Sequence, residues 1–110
     1  MKPHAFQILL ALSGGELHAT GIVERVLEQT GGGVRLWPVT LHRTLDRLCE
    51  DGLIADLDER GEHPQGESRR RRYYRLTRQG AAALTEEAER LQALAATARD
   101  NLGKQRWRGP

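Results

Sequence analysis

Six arginines and no acidic residue lie between Arg69 and Arg78, and four of them, Arg69, Arg70, Arg71 and Arg72, are consecutive. Guanidinium groups bond phosphate or carboxylate oxygens through paired N–H donors, so this density suits an anionic partner. A second cluster lies upstream. There Val39, Thr40, His42, Arg43 and Arg47 offer an apolar tip, a hydroxyl, an imidazole and two guanidinium groups. Arginine can bond guanine at two atoms, threonine can bond a base or a phosphate, and valine can touch a thymine methyl. Both clusters suit recognition of nucleic acid.

Catalysis fits the inventory poorly. His4, His18, His42 and His63 are dispersed and Cys49 is the single cysteine, so no metal-ligand spacing appears. Gly31, Gly32 and Gly33 follow a helix pattern rather than a strand, and Ser13 lies in no nucleophile motif. Aromatic residues make up only 5% of the chain, too few to line a deep active site. The expectation is a protein that is not an enzyme and needs no cofactor.

The elements that must position these clusters can be read in order. Pro3 suits a first helical turn, and Phe6, Leu9, Leu10 and Leu12 give that helix an apolar side before Gly14 and Gly15 end it. Ile22, Val23, Val26 and Leu27 form the stripe of a second helix over 19–29, stopped by the three glycines. Residues 34–37 read as a short extended strand, with Trp37 assigned to core or hinge. Pro38 then opens a third helix over 38–51, where Leu41, Leu45 and Leu48 recur on one face and Gly52 is the stop.

Residues 53–57 and 72–76 are strand candidates around a polar loop, which makes a long hairpin. Thr77 caps a last helix reaching about residue 102. The fold expected is mostly α with a small β-hairpin: a winged helix-turn-helix over 1–78, a C-terminal dimerisation helix over 79–103 and a basic tail over 104–110.

With the leucines inward, a 100° step turns Val39, Arg43, Asp46, Arg47 and Glu50 outward and leaves Thr40 and His42 on the flanks. Asp46 and Glu50 repel phosphate, so the N-terminal half of the helix is the half that approaches DNA. In the hairpin, alternation puts Arg70, Arg72, Tyr74 and Leu76 on one side and Arg71, Tyr73 and Arg75 on the other. Leu76 and one tyrosine pack inward, and the arginines at the tip straddle a phosphate backbone or enter a minor groove. Blander readings compete: a solvated amphipathic helix, and a basic run that merely keeps an edge strand from aggregating.

The order of elements and several strings resemble the PadR family of bacterial transcriptional regulators. The strings are Leu9–Leu12, Leu17-His18 with Gly21-Ile22, residues 41–48, residues 51–54, and 72–77 leading to Gly80. The resemblance implies a homodimer, usually a repressor, with much of the dimer contact on the C-terminal helices. In some members small molecules or stress signals release DNA, so an effector of unknown identity is a possible partner here. This chain departs from the family at His42, where a tyrosine is common, and at Ala19-Thr20, where a Gly-Tyr pair is common. Contacts inferred for those tyrosines do not carry over. His42 can instead meet a phosphate, which would make binding sensitive to pH near neutrality.

Leu84, Ala88, Leu91, Leu94, Ala95, Ala98 and Leu102 give the last helix a stripe broad enough for its own domain and a second copy. The competing reading is that it covers only its own core. A dimer spaces two reading helices about one DNA turn apart and favours a palindromic site. An effector cavity lined by aromatics finds no support, since that helix carries none before Trp107. Cys49 reads as a packed thiol, with a redox sensor as the alternative. The apolar stretch 5–12 is too short to cross a bilayer, which needs about 20 residues, so the expected location is the cytoplasm. The rival from another class is a winged helix whose arginines dock an acidic protein.

Overall fold

The computed structural model describes residues 1–58 and 72–107. Its elements are α1 (Pro3–Leu12), β1 (Leu17–His18), α2 (Ala19–Gln29), α3 (Pro38–Glu50), β2 (Ile54–Asp56), β3 (Tyr73–Leu76) and α4 (Arg78–Lys104). Pro3 occupies the first turn of α1, where its missing N–H costs nothing. The helix buries Ile8, Leu9, Ala11 and Leu12, while Leu10, assigned above to the apolar side, faces outward. At the start of α2 the His18 Nδ1 accepts the Gly21 N–H at 3.0 Å. Ile22 and Val26 then turn into the core beside Ile8 and Leu9.

Two helices end in the same way. Gly31 and Gly52 take φ of 61° and 75°, a region closed to most side chains. After α2, Gly31 N–H donates to Glu28 O and Gly32 N–H to Leu27 O. After α3, Gly52 N–H donates to Cys49 O and Leu53 N–H to Leu48 O. Each paired set satisfies carbonyls that a helix end leaves open.

The sheet corrects one expectation. Residues 34–37 are in no strand; β1 takes the place, and the strand order is β1-β3-β2, all antiparallel. Leu17 pairs with Tyr74 and His18 with Tyr73, which fills the edge of β3 away from β2. Residues 34–37 are held otherwise: Val34 N–H donates to the Thr30 hydroxyl at 3.0 Å, and Leu36 plugs into the core. On the other edge Ile54, Ala55 and Asp56 face Leu76, Arg75 and Tyr74. Tyr74 is the buried tyrosine of the hairpin, and Leu76 packs half-buried against the core.

The third helix, the sheet and α4 meet at Leu53. Its carbonyl accepts the Thr77 N–H at 3.1 Å, and the Thr77 hydroxyl donates to Gly52 O at 2.7 Å. That hydroxyl also accepts the Gly80 N–H at 3.0 Å, which caps α4. A Cβ on Gly80 would collide with the Leu53 carbonyl oxygen. Glycine is required there by contact, not by conformation. Farther along α4, Arg90 donates two hydrogen bonds to the Glu87 carboxylate, at 2.8 and 2.6 Å, and the N-terminal ammonium lies 4.0 Å from it. The hydrogen bonds from Arg90 hold the Glu87 carboxyl below its ordinary value of 4.5, against the opposing effect of desolvation.

Two measurements check this framework. Gly80→Ala should lose about 3 kcal/mol or fail to fold, because backbone blocks the new methyl. Gly103→Ala, in open space, should hold or slightly raise stability; equal denaturation midpoints for the two would refute the contact. A carboxylate with a lowered folded-state value contributes stability that is complete above its unfolded value and lost as pH falls through the lowered one. The acid limb of a Tm–pH profile should therefore flatten in Glu87→Gln.

Candidate nucleic-acid interface

Helix α3 is positioned by what it buries. Leu41, Leu45 and Leu48 enter the core, so Val39, His42, Arg43, Asp46, Arg47 and Glu50 are exposed and Thr40 is half-buried. Val39, next to the helix start, is 70% exposed. The Thr44 hydroxyl donates to Thr40 O at 2.7 Å and is thereby occupied within the helix. Arg47 Nε reaches Asp51 Oδ2 at 3.3 Å, which draws its charge back along the helix. His42 and Arg43 form no ion pair or side-chain hydrogen bond with another described residue.

Packing adds a neighbour that spacing did not indicate. The first residues of α1 form one wall of an open groove of about 980 Å³. Thr40, Arg43 and Arg47 of α3 line the same groove, so Lys2 shares it with two of the candidate arginines and with Asp46, Glu50 and Asp51. No local pattern around Lys2 signals this, because it follows from how α1 lies on α3.

At the hairpin, Arg69, Arg70 and Arg71 lie outside the described residues, and Arg72 immediately precedes β3. The Arg72 guanidinium donates to Asp56 Oδ2 at 3.2 Å, and Asp56 Oδ1 accepts the Asp58 N–H at 3.0 Å. The Asp56 side chain is 5% exposed while that of Arg72 is 57% exposed. Asp56 first, then Tyr74, favours the charged guanidinium and raises its pKa. Burial first, then the Asp56 charge, raises the pKa of the Tyr74 phenol. Arg72 thus ties the base of the hairpin together. On the opposite edge Arg75 lies 3.9 Å from Glu16, and Tyr73 meets the His18 ring edge-on at 5.4 Å.

Trp37, assigned above to core or hinge, is 62% exposed, with the Arg35 guanidinium carbon 4.7 Å from its ring centroid. Leu36 takes the buried position instead. Cys49 packs half-buried against the core.

Helix α4 covers its own domain only near its start. Leu84 packs on the core and Glu87 is buried, but every residue from Ala88 to Trp107 is exposed. Leu91, Leu94 and Leu102 are 39, 53 and 51% exposed, and Ala88, Ala95 and Ala98 are exposed between them. No helix among the described residues is long and apolar enough to cross a membrane.

Comparison with known proteins bears on the family and the fold. The model of the transcriptional regulator PadR-like family matches residues 8–86. The transcriptional regulator Rv3488 of Mycobacterium tuberculosis is 38% identical over 98 residues, which are 89% of this chain and 81% of that protein. A PadR family transcription regulator from Clostridium difficile R20291 superposes with a TM-score of 0.72 at 20% identity, over 89% of this chain and 96% of that one. F93 from STIV, described as a winged-helix DNA-binding protein, gives 0.65 at 18% identity, over 84% and 90%. The fold is a winged helix-turn-helix with a three-stranded antiparallel sheet.

The Asp56–Arg72 contact is open to direct test. Asp56→Asn keeps an acceptor for the Asp58 N–H but removes the charge facing Arg72. It should lower stability by about 1 kcal/mol, modest because water screens the exposed guanidinium. An unchanged urea midpoint would mean that the pair contributes nothing.

Proposed function

Because the chain belongs to the PadR-like family of transcriptional regulators and is not an enzyme, we propose that it binds double-stranded DNA as a homodimer, as a repressor on a palindromic operator. The observation that carries this reading is the outer face of α3, where Val39, His42 and Arg43 stand exposed at the N-terminal end with no internal partner among the described residues. Residues 1–78 form the DNA-binding head, 79–103 the dimerisation helix and 104–110 a basic tail. A cytoplasmic location fits this role.

The roles divide by chemistry. Val39, Thr40, His42 and Arg43 choose sequence, since base edges are read by the first turns of such a helix. Arg47 contributes less, because Asp51 draws its guanidinium aside. Arg69, Arg70 and Arg71 supply charge to the phosphate backbone, while Arg72 is held on Asp56. Leu84, Ala88, Leu91, Leu94, Ala95, Ala98 and Leu102 form the seam of the dimer. The exposure of that stripe from Ala88 onward supports a second copy as its cover. Any effector is a small molecule of unknown kind.

The DNA reading is tested by duplex binding across a salt series. Wild-type log K should fall steeply with log salt, and Arg70→Ala with Arg71→Ala should weaken binding alike on all sequences. The slope should drop by about 0.9 for each phosphate that the variant no longer neutralises. No affinity even at low salt would overturn the reading and favour docking of an acidic protein instead. The dimer is tested by sedimentation. Leu91→Asp with Leu94→Asp should convert a dimer to a folded monomer, and a wild-type chain that stays monomeric at high concentration would refute it.

A further inference from the structure

Two large side chains before α3 belong neither to the core nor to the groups assigned above. Arg35 and Trp37 flank Leu36, which is 2% exposed and points inward, so its two neighbours turn outward. The Arg35 guanidinium carbon lies 4.7 Å from the centre of the Trp37 ring, a cation held against an aromatic face. Trp37 is 62% exposed, and Val39, 70% exposed, follows two residues on. An indole left largely in water forgoes the burial that drives folding, and Trp37 belongs neither to the core cluster nor to the hydrophobics packed against it.

The position of the pair is fixed. Behind it, Gly32 N–H donates to Leu27 O at 2.7 Å, Gly33 N–H to Thr30 O at 3.1 Å and Val34 N–H to the Thr30 hydroxyl at 3.0 Å. Ahead of it, Trp37 O accepts the Leu41 N–H at 2.8 Å, the first bond of α3. The pair is therefore rigidly joined to the end of the helix that carries Val39, Thr40 and Arg43.

Charge indicates what such a surface meets. Arg35 forms no ion pair with a described acid, and a guanidinium held over an aromatic ring keeps N–H groups available for an anion. The first turn of α3 has no side-chain acceptor for its N–H groups, so the local field is positive there as well. We propose that Arg35 and Trp37 form a backbone clamp: Arg35 bonds a DNA phosphate beside the bases that α3 reads, while Trp37 holds the guanidinium and packs on the adjoining deoxyribose. The clamp sets the depth and register of α3 in the groove. It rests on the DNA-binding reading above and adds to it a contact that neither the helix face nor the wing supplies.

The test uses the 110-residue chain with Trp107→Phe, so that Trp37 is the one remaining indole, and a duplex recovered by selection from a random pool. Arg35→Ala should weaken binding about tenfold and lower the salt slope by about 0.9 per protomer. Trp37→Ala should weaken binding about threefold with little change in slope. The double variant should lose less than the product of the two, since Trp37 acts partly through Arg35. Trp37 emission should change when the duplex is added. Thermal midpoints should match the parent, because both side chains are exposed. Parental affinity and slope in both single variants would overturn the clamp while leaving DNA binding by the chain intact. Altered sedimentation with unchanged DNA affinity would also overturn it and assign the pair to a protein contact. Failure of the parent to bind DNA at low salt would instead remove the reading beneath it.

Discussion

The Leu53 carbonyl is the point on which the molecule turns. It takes the Thr77 N–H, it sits against the bare backbone of Gly80, and it leads out of the turn made by Gly52. Three elements meet within that space: the end of α3, the β2–β3 hairpin and the start of α4. Each depends on an atom that is absent or singly placed. Gly52 needs its left-handed backbone, Gly80 needs the lack of a Cβ, and the Thr77 hydroxyl donates to Gly52 while accepting from Gly80. Because these bonds are short and shared, the angle between α3, the β2–β3 hairpin and α4 is a property of the fold rather than of flexible connections.

Charge is arranged around that framework by pairing. Arg47 leans on Asp51, Arg72 on Asp56, Arg75 lies near Glu16, and Arg90 holds Glu87. These contacts spend cationic charge on structure, most fully where the acid is buried, as at Asp56 and Glu87. Among the described residues that form no ion pair, Lys2 and Arg43 line one groove and Arg35 lies over the Trp37 ring, all near the N-terminal end of α3.

Much of this was legible in the chain because it depends on short-range periodicity. Leu41, Leu45 and Leu48 mark the buried face of α3 at helical spacing, Gly52 marks its end and Thr77 marks the cap of α4. What escaped depends on contacts distant in sequence. Leu17-His18 is too short to announce a strand, and it becomes one only because Tyr73 and Tyr74 offer an open edge. Trp37 looks like core by residue type, yet Leu36 beside it takes the inward position. Lys2 joins Arg43 and Arg47 on one groove only through the packing of α1 on α3. The Arg69–Arg71 run, the plainest signal in the sequence, falls outside the described residues, so its assignment still rests on composition.

The long helix links these observations to symmetry. Its first turn is locked at Thr77, its buried contacts end at Glu87, and it continues unbroken to Lys104. At 1.5 Å per residue the exposed part reaches about 25 Å beyond the domain. In the proposed dimer, the head of each copy is fixed to its own helix. The separation of the two reading helices then depends on where along Leu91, Leu94, Ala98 and Leu102 the copies cross. Shifting the crossing by one helical turn would move each head by about 5.4 Å along that axis, more than the 3.4 Å rise of one base pair of DNA. The register of small and large residues on α4 would therefore act on operator spacing from a distance, without any of those residues touching DNA.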